Sequence, residues 1–191
     1  MAQIRSLKPN VTIEQAVQQF SAGGLLSQIR RAALGPVRSV AEFYIPFRLF
    51  EVEVLNRGKC NRYTLGLDMV AGCLNPYGFE ILPTDREVIC LETRNCIPSS
   101  LNDTEANELI LVKVQRILFS SGFFRIRNLR MTANAIPGEI HVPYWVGFRG
   151  KGVRAHITIM DAVRRRLEGG KVRHLLQNWL LDPPPLKTEP N

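Results

Sequence analysis

The sequence predicts an α+β fold in which two repeated helix–antiparallel-hairpin units pack their helices on one sheet face, followed by a C-terminal amphipathic helix. The first observation is a repeated order: a helical pattern, a Pro-aromatic step, two alternating runs around a glycine turn, and a closing aspartate. The second is spacing, since Pro46 and Pro143 lie 97 residues apart and Asp68 and Asp161 lie 93 apart. The third is the apolar–polar alternation of both hairpins, which is typical of a sheet buried on one face.

The first unit, residues 1–72, is expected to open with a helix. Thr12 can cap it, with Gln15 as the reciprocal half of a capping box. One apolar stripe follows at helical spacing: Ile13, Ala16, Val17 and Phe20. Gly23-Gly24 interrupts the pattern before it resumes at residues 25–33, so this region forms two short helices or one helix kinked at the glycines.

The hairpin of the first unit has a testable register. With Arg57-Gly58 as a two-residue turn, Val54 lies opposite Asn61, and the residue numbers of every pair sum to 115. The same register places Glu53 opposite Arg62, an opposite-charge pair on the polar face.

The second unit, residues 103–163, is expected to begin with a helix capped by Asn102 or Asp103. That helix is apolar over much of its circumference, which predicts a more buried position than that of the first. A strand is expected at 123–131, and Gly138 is expected to mark a turn before the second hairpin. With Gly150-Lys151 as a type II′ turn, the two residue numbers of each cross-strand pair in the second hairpin sum to 301.

The register of the second hairpin predicts particular cross-strand pairs. It places Tyr144 opposite Ile157 and Trp145 opposite His156. One face is then apolar and the other carries aromatic and basic residues. The remaining segments are predicted as a connecting segment with short strands (73–102), a C-terminal helix (164–182) and a flexible tail (183–191).

The opening Val-Thr-Ile-Glu-Gln-Ala at 11–16, the hairpin and the closing Asp-x-Val resemble PepSY-type modules, which have a small cystatin-like helix-on-hairpin fold. The resemblance implies two divergent copies of about 60 residues each. The sequence departs from the family after the closing aspartates, where Ala71-Gly72 and Arg164-Arg165 stand in place of the usual Thr-Gly. The resemblance therefore bears on the fold and not on a protease-regulating role.

Composition indicates an ordinary globular chain. It has 191 residues, 45% of them hydrophobic, and a net charge of +8. No apolar run approaches the roughly 18 residues that span a bilayer, and the N-terminal ten residues lack the apolar core of a signal peptide, so we expect a cytoplasmic protein without a membrane segment. Four cysteines without a C-x-x-C pair are expected to be buried or half-buried free thiols; they are Cys60, Cys73, Cys90 and Cys96.

A search for catalytic and cofactor motifs gives no nucleophile elbow, no zinc-protease motif and no dinucleotide fingerprint. No cofactor or metal site is expected, because His141 and His156 would lie too far apart to share a metal. Asp68 and Asp161 are expected to stabilise turns by accepting backbone N–H bonds. An enzyme is the minority hypothesis, and a deep pocket lined by Cys60, Cys73 or Asp161 would favour it.

The basic residues are concentrated in residues 113–174, which hold 13 basic and 3 acidic side chains. Basic and aromatic residues interleaved on a sheet can bind phosphates and stack on bases. The candidate polyanion-binding residues are Arg125, Arg127, Arg130, Trp145, Arg149, Arg154, His156, Arg164, Arg165 and Arg166. In the alternative, the C-terminal helix covers this face and buries Trp145, while the arginines extend to water.

The function predicted first is a non-enzymatic protein-binding or assembly module, because duplication is present without catalytic residues. The alternative is a binder of nucleic acid or another polyanion through the 113–174 surface. No small-molecule substrate is evident from the sequence. The partner, the oligomeric state, the thiol state and the number of sheets stay open, as does a catalytic centre that only the fold assembles.

Overall fold

The computed structural model describes residues 1–21, 35–120, 122, 128–150 and 156–181. Of these residues, 47% are in strands and 25% in helices. In chain order the elements are β1 (Ala2–Leu7), α1 (Ile13–Ser21), β2 (Val37–Asn56), β3 (Lys59–Asp68), β4 (Tyr77–Phe79), β5 (Val88–Thr93), α2 (Asp103–Ser120), β6 (Arg130–Arg149), β7 (His156–Asp161), β8 (Arg166–Leu167) and α3 (Gly170–Leu181).

Two 20-residue strands, β2 and β6, form the centre of the sheet and pair with each other antiparallel over most of their length. The strand order is β4-β3-β2-β6-β1-β5, with β7 on β6 and β8 on β7. The contact between β1 and β6 is parallel, so the sheet is mixed. The predicted fold of two helix–hairpin units is therefore wrong. Alternation shows that a strand has one buried face, but it does not show which strand lies beside it.

The first hairpin follows the predicted register. Val54 pairs with Asn61, and the other pairs keep the same sum. The turn residues Arg57 and Gly58 both have positive φ, 53° and 76°, as a type I′ turn requires. The predicted cross-strand pair also forms, with Arg62 Nε 2.7 Å from Glu53 Oε1.

The second hairpin has a different register from the predicted one. Tyr144 pairs with Asp161 and Trp145 with Met160, so the sum is 305 instead of 301. The chain enters β7 only at His156, because the connection after Gly150 is longer than two residues; residues 151–155 lie outside the described part of the chain. A shift of four residues is even, so each side chain keeps its predicted face.

Gly138 does not mark a turn. Strand β6 continues through it, and the register against β2 shifts between Arg48 and Phe50, where the pairing passes from Glu139 to Ala135. Gly138 has a φ of 93°, so the glycine accommodates a bulge without reversing the chain. The predicted strand 123–131 is described only from Asn128 onward and is strand only from Arg130.

Helix α1 begins with the predicted capping box: the Thr12 N–H donates to Gln15 Oε1 at 3.1 Å, and the Gln15 N–H donates to Thr12 Oγ1 at 3.4 Å. Only part of the predicted stripe is buried, namely Ala16 and Phe20. The resumed helical pattern at 25–33 lies outside the described residues.

Helix α2 is capped by Asn102, which exchanges hydrogen bonds with Glu105 at 2.9 and 3.0 Å. It is not more buried than α1, contrary to the prediction, since 3 of its 18 residues are buried against 2 of 9 in α1, and Val112 is 60% and Ile117 50% exposed. The number of apolar residues in a helix does not determine how much of the helix surface the neighbouring sheet covers.

The three described helices lie on both faces of the sheet and not on one. Helix α3 packs with Phe47 and Tyr144, whereas α2 packs with Phe50 and α1 with Trp145. Neighbouring residues of a strand point to opposite faces, so α3 lies on the face opposite that of α1 and α2.

The remaining segments also differ in part from the prediction. Strand β1 was not expected and pairs with β5. The C-terminal helix starts at Gly170 instead of 164, because Arg166–Leu167 pair back onto β7 as β8. The predicted tail, 183–191, lies outside the described residues. None of the described helices is long and apolar enough to cross a membrane.

Candidate functional site

Two buried aspartates close strands β3 and β7. Asp68 and Asp161 are each 1% exposed. The residue after each aspartate donates its N–H to the carbonyl of a strand proline, Met69 to Pro46 at 2.9 Å and Ala162 to Pro143 at 3.1 Å. We call residues 68–74 the Asp68 corner and residues 161–167 the Asp161 corner. The two corners share this local arrangement within one continuous sheet.

In the Asp68 corner the carboxylate is fully paired by the chain that follows it. The Ala71 and Gly72 N–H groups donate to Oδ1, both at 3.0 Å, and the Leu74 N–H donates to Oδ2 at 2.9 Å. The predicted turn-stabilising role is confirmed for Asp68 and accounts for both of its oxygens.

In the Asp161 corner only one carboxylate oxygen is paired. The Val163 and Arg164 N–H groups donate to Oδ1 at 2.9 and 2.8 Å, and the Tyr77 hydroxyl lies 3.5 Å from the same oxygen. Oδ2 is buried and accepts no hydrogen bond from any of the described residues. The turn-stabilising role therefore accounts for only one of the two Asp161 carboxylate oxygens, Oδ1.

The cause is the path of the chain after each aspartate. Six residues after Asp68, the Leu74 N–H reaches back to the carboxylate. Six residues after Asp161, Leu167 belongs to β8 and pairs with Met160 in the sheet. Sheet pairing holds this part of the chain in a hairpin, so it does not wrap around the Asp161 carboxylate.

Asp161 lines a cavity of about 150 Å³, which we call the Asp161 cavity. Its walls come from four parts of the fold: the central strands β2 and β6 at Phe47 and Tyr144, the segment from 74 to β4, the turn from β7 through β8, and the first turn of α3. The polar and charged lining residues are Asn75, Tyr77, Tyr144, Asp161, Arg164, Arg166, Glu168 and Lys171.

Arg164 and Tyr77 form one wall of the cavity. The guanidinium carbon lies 3.3 Å from the centroid of the Tyr77 ring, a cation–π contact. Arg164 Nη2 also donates to the Gly78 carbonyl at 3.1 Å. Both residues line a second, more open groove of about 610 Å³ that includes Ile81. The Arg164–Tyr77 pair therefore lies between the cavity and the groove.

The electrostatics of the cavity follow from burial. Burial raises the pKa of Asp161, although the Arg164 and Val163 N–H groups and the Arg164 charge favour its ionised form; the Glu168 charge raises the pKa further. Burial, together with the Asp161 charge, also raises the pKa values of Tyr77 and Tyr144, so both phenols stay neutral. Glu168 is bound by Arg166, whose Nη2 lies 3.1 Å from Oε1.

Two of the predicted polyanion-binding residues are buried and hold the structure together. Trp145 donates its indole N–H to the Val11 carbonyl at 2.8 Å, beneath α1. Arg149 donates to the Gly35 carbonyl at 2.9 Å and to the Phe20 carbonyl. A helix does cover this face, as the alternative allowed, but the helix is α1.

The other predicted residues are dispersed. Arg165 donates to the Asn10 carbonyl at 2.7 Å, and Arg164 and Arg166 line the Asp161 cavity. Arg130 and His156 are exposed. Arg125, Arg127 and Arg154 lie outside the described residues. The described members of the set do not form one exposed basic face.

The cysteines do not line the Asp161 cavity. Three of them, Cys60, Cys73 and Cys90, are exposed free thiols, in contrast to the predicted burial, and Cys96 is half-buried. Burial raises the pKa of the Cys96 thiol to about 11, with a further contribution from the Glu139 charge. This is the opposite of the lowered pKa that activates a nucleophilic cysteine.

Within the described part of the chain, no group of three or more His, Cys, Asp or Glu side chains is placed to hold a metal ion. The resemblance to PepSY-type modules stays a prediction. Comparisons of the chain with protein-family models, with curated proteins and with solved structures find no match in any of the three.

Proposed function

We propose that this protein binds a small polar ligand in the Asp161 cavity and does not chemically transform it. The observation that carries the proposal is the unpaired Oδ2 of Asp161. A buried polar atom without a partner typically costs about 1–3 kcal/mol, and more when it is charged. The Asp68 corner shows that this chain can pair both oxygens of such an aspartate, so a ligand donor is the natural partner for Oδ2.

Asp161 lines the cavity, which is one of the observations named in favour of an enzyme, but the other lining residues favour binding over catalysis. A reaction that uses both a general acid and a general base needs two groups that titrate near the operating pH. The two tyrosines stay neutral because burial raises their pKa values, and Glu168 is engaged by Arg166. Asp161 is thus left as an acceptor, and Arg164 and Lys171 provide positive charge at the walls.

The roles predicted from the sequence stay predictions beside this proposal. A protein partner or self-association is compatible with a small-ligand site, because ligand occupancy can stabilise the surface around the groove. Binding of nucleic acid would depend on Arg130, His156 and the basic residues outside the described part of the chain, because Trp145 and Arg149 are used internally.

The test is a thermal-unfolding screen with small amines, alcohols, carboxylates and amino acids. The variant is Asp161→Asn, which keeps an oxygen for the Val163 and Arg164 N–H groups and turns the free acceptor into a donor. A ligand at a hundredfold excess over its Kd adds about 2.7 kcal/mol to the free energy of unfolding, which is a shift of several degrees. We expect at least one compound to stabilise the wild type and not the variant.

Glu14→Gln is the matched control, because Glu14 is an exposed carboxylate at the start of α1. The control should respond to ligands as the wild type does. If no compound stabilises the wild type, or if each one stabilises Asp161→Asn equally, the cavity is not the binding site.

A further inference from the structure

Strand β4 is the last strand on its side of the sheet within the described residues. It pairs with β3 antiparallel through its three residues, Tyr77, Gly78 and Phe79. Its other edge pairs with no described strand. Such an edge presents backbone N–H and C=O groups that can pair with another chain unless the fold covers them.

The direction of the β4 backbone groups follows from the ladder between β2 and β3. The Met69 N–H donates to the Pro46 carbonyl at 2.9 Å, in the same register as the first hairpin. Because bonding alternates along an antiparallel strand, the odd-numbered residues of β3 bond to β2 and the even-numbered ones face β4. Tyr77 and Phe79 lie opposite even-numbered residues and therefore bond to β3, whereas Gly78 turns its N–H and C=O outward.

The contact with Arg164 agrees with this direction. Arg164 Nη2, from the Asp161 corner, donates to the Gly78 carbonyl at 3.1 Å. A carbonyl oxygen has two lone pairs, so this bond leaves one position for a strand N–H. The Gly78 N–H has no described strand to accept it. The edge therefore offers one donor and one acceptor to an incoming strand, at an exposed residue.

The groove of about 610 Å³ lies beside this edge. All three β4 residues line it, together with the apolar side chains of Leu7, Ile81 and Val163. Ile81 is 79% exposed, so a large apolar side chain is left in water next to an open strand edge. A partner that covers Ile81 removes this apolar surface from water, which is favourable.

The charged residues of the groove favour an acidic partner. Its lining cations outnumber its acids, with Lys8, Arg86 and Arg164 against Glu80 and Glu87. Glu87 Oε2 already accepts from the Thr84 N–H and hydroxyl, at 2.9 and 3.0 Å. Among the described residues, only Nη2 of Arg164 has an acceptor, so its other N–H groups can bind a carboxylate.

We propose that an extended, acidic segment of a partner protein binds in this groove and adds to β4 as a further strand. Main-chain bonds to Gly78 hold the segment, an apolar side chain covers Ile81, and a carboxylate pairs with Arg164. The chain has a net charge of +8, so a second copy would be repelled and an acidic segment attracted. This inference does not rest on the proposed function, because neither Gly78 nor Ile81 lines the Asp161 cavity.

The test is fluorescence anisotropy of a labelled peptide titrated with the full chain. The peptide has about eight residues, the length of an ordinary strand, and alternates valine with glutamate. In a strand this alternation gives one apolar and one acidic face. A second peptide carries lysine in place of glutamate. We expect the acidic peptide to bind about tenfold or more tightly than the basic one, and added salt to weaken it.

Two substitutions at Gly78 separate strand addition from other modes of binding. Gly78→Pro removes the outward N–H, which β3 does not use, and proline is tolerated in edge strands. Gly78→Ala keeps this N–H, and its Cβ would meet nothing closer than Leu65 Cδ2, at 3.9 Å. The proline variant should bind the acidic peptide about fivefold or more weakly than the wild type, because the peptide loses a main-chain bond. The alanine variant should bind it as the wild type does.

Two further substitutions test the side-chain contacts. Arg164→Gln should weaken binding of the acidic peptide about fivefold or more. Arg130→Gln is its matched control, because Arg130 is exposed and does not line the groove, and it should change nothing. Ile81→Ser should also weaken binding. Because Ile81 is exposed, this variant keeps its fold and serves as the test if the proline variant does not fold.

The outcomes are distinct. Equal binding by the proline and alanine variants overturns strand addition, and equal binding of the two peptides overturns the acidic partner. Failure of the wild type to bind the acidic peptide overturns both. If light scattering shows a wild-type dimer that Gly78→Pro dissociates and Gly78→Ala does not, a second copy occupies the edge and the proposal is wrong. Unfolding curves of each variant show that lost binding is not lost folding.

Discussion

The Asp68 and Asp161 corners place the same residue type at the end of a strand in one sheet, yet only one of the carboxylates is completed by the chain. Asp68 accepts three backbone N–H bonds across both oxygens. Asp161 accepts two on Oδ1 and leaves Oδ2 unpaired among the described residues. The comparison teaches that a turn aspartate keeps one oxygen unpaired when the six residues after it return to the sheet.

The corners also differ at the fourth residue after the aspartate. Gly72 has a φ of 58° and Arg165 a φ of 56°, so both positions adopt the left-handed conformation. Glycine takes this conformation without steric cost, whereas arginine does not. The Asp161 corner therefore carries backbone strain and an unpaired oxygen within four residues, and the Asp68 corner carries neither.

The largest loss of stability is expected at Asp68, whose two carboxylate oxygens are both paired. Asp68→Asn places an amide NH₂ where an oxygen now accepts from the Leu74 N–H or from the Ala71 and Gly72 N–H groups, so two donors face each other in a buried site. Loss of a charge-assisted bond together with an unsatisfied donor should lower the free energy of unfolding by about 3 kcal/mol. Chemical denaturation at pH 7 measures it.

Asp161→Asn is the matched substitution and should change the free energy of unfolding by about 1 kcal/mol or less. Its amide oxygen can keep both backbone bonds, and no N–H group faces the new NH₂. Because the folded pKa of Asp161 is raised, the wild type gains stability from this group below its unfolded pKa and loses it as pH rises through the folded pKa. Any advantage of the variant should therefore be greatest at neutral pH and shrink in acid. Equal losses in the two variants would contradict the comparison.

The two left-handed positions should differ by less than the two aspartates do. Gly72→Ala should lower the free energy of unfolding by about 1–2 kcal/mol, because an alanine at this position must adopt a positive φ, which its Cβ makes sterically unfavourable. That Cβ would also meet Leu109 Cδ1 at 2.7 Å. Arg165→Ala keeps a non-glycine residue at the same φ and removes only an exposed bond to the Asn10 carbonyl, so about 0.5 kcal/mol is expected. Thermal unfolding of the two variants checks the order, and a larger loss for Arg165→Ala would reverse the interpretation of the corners.

Local features of the fold could be predicted from the sequence. The Arg57-Gly58 turn, the Thr12 and Asn102 caps and the Glu53–Arg62 pair depend on residues close in sequence or fixed by one register. The overall architecture could not be predicted in this way. The pairing of β2 with β6 joins residues about 100 positions apart, and alternation alone does not identify the partner of a strand.

Only part of the candidate site could be predicted from the sequence. Asp161 was identified as a repeated acid, but sequence spacing gives no sign that Oδ2 lacks a donor, because this depends on β8 pairing with β7. Tyr77 and Lys171 reach the cavity from segments distant in sequence, and neither belongs to a motif. The burial of Trp145 beneath α1 could not be predicted, because the covering helix could not be positioned from the sequence.

The most direct test of the central claim is an NMR titration of the Asp161 side-chain carboxyl carbon, assigned by comparison with Asp161→Asn. The account predicts that the pKa of Asp161 lies above the ordinary aspartate value of about 3.9 and falls when a compound that stabilises the wild type is added, because a donor bound at Oδ2 favours the ionised form. A pKa at or below the ordinary value, unchanged by any such compound, would show that Oδ2 already has a partner and would contradict the account.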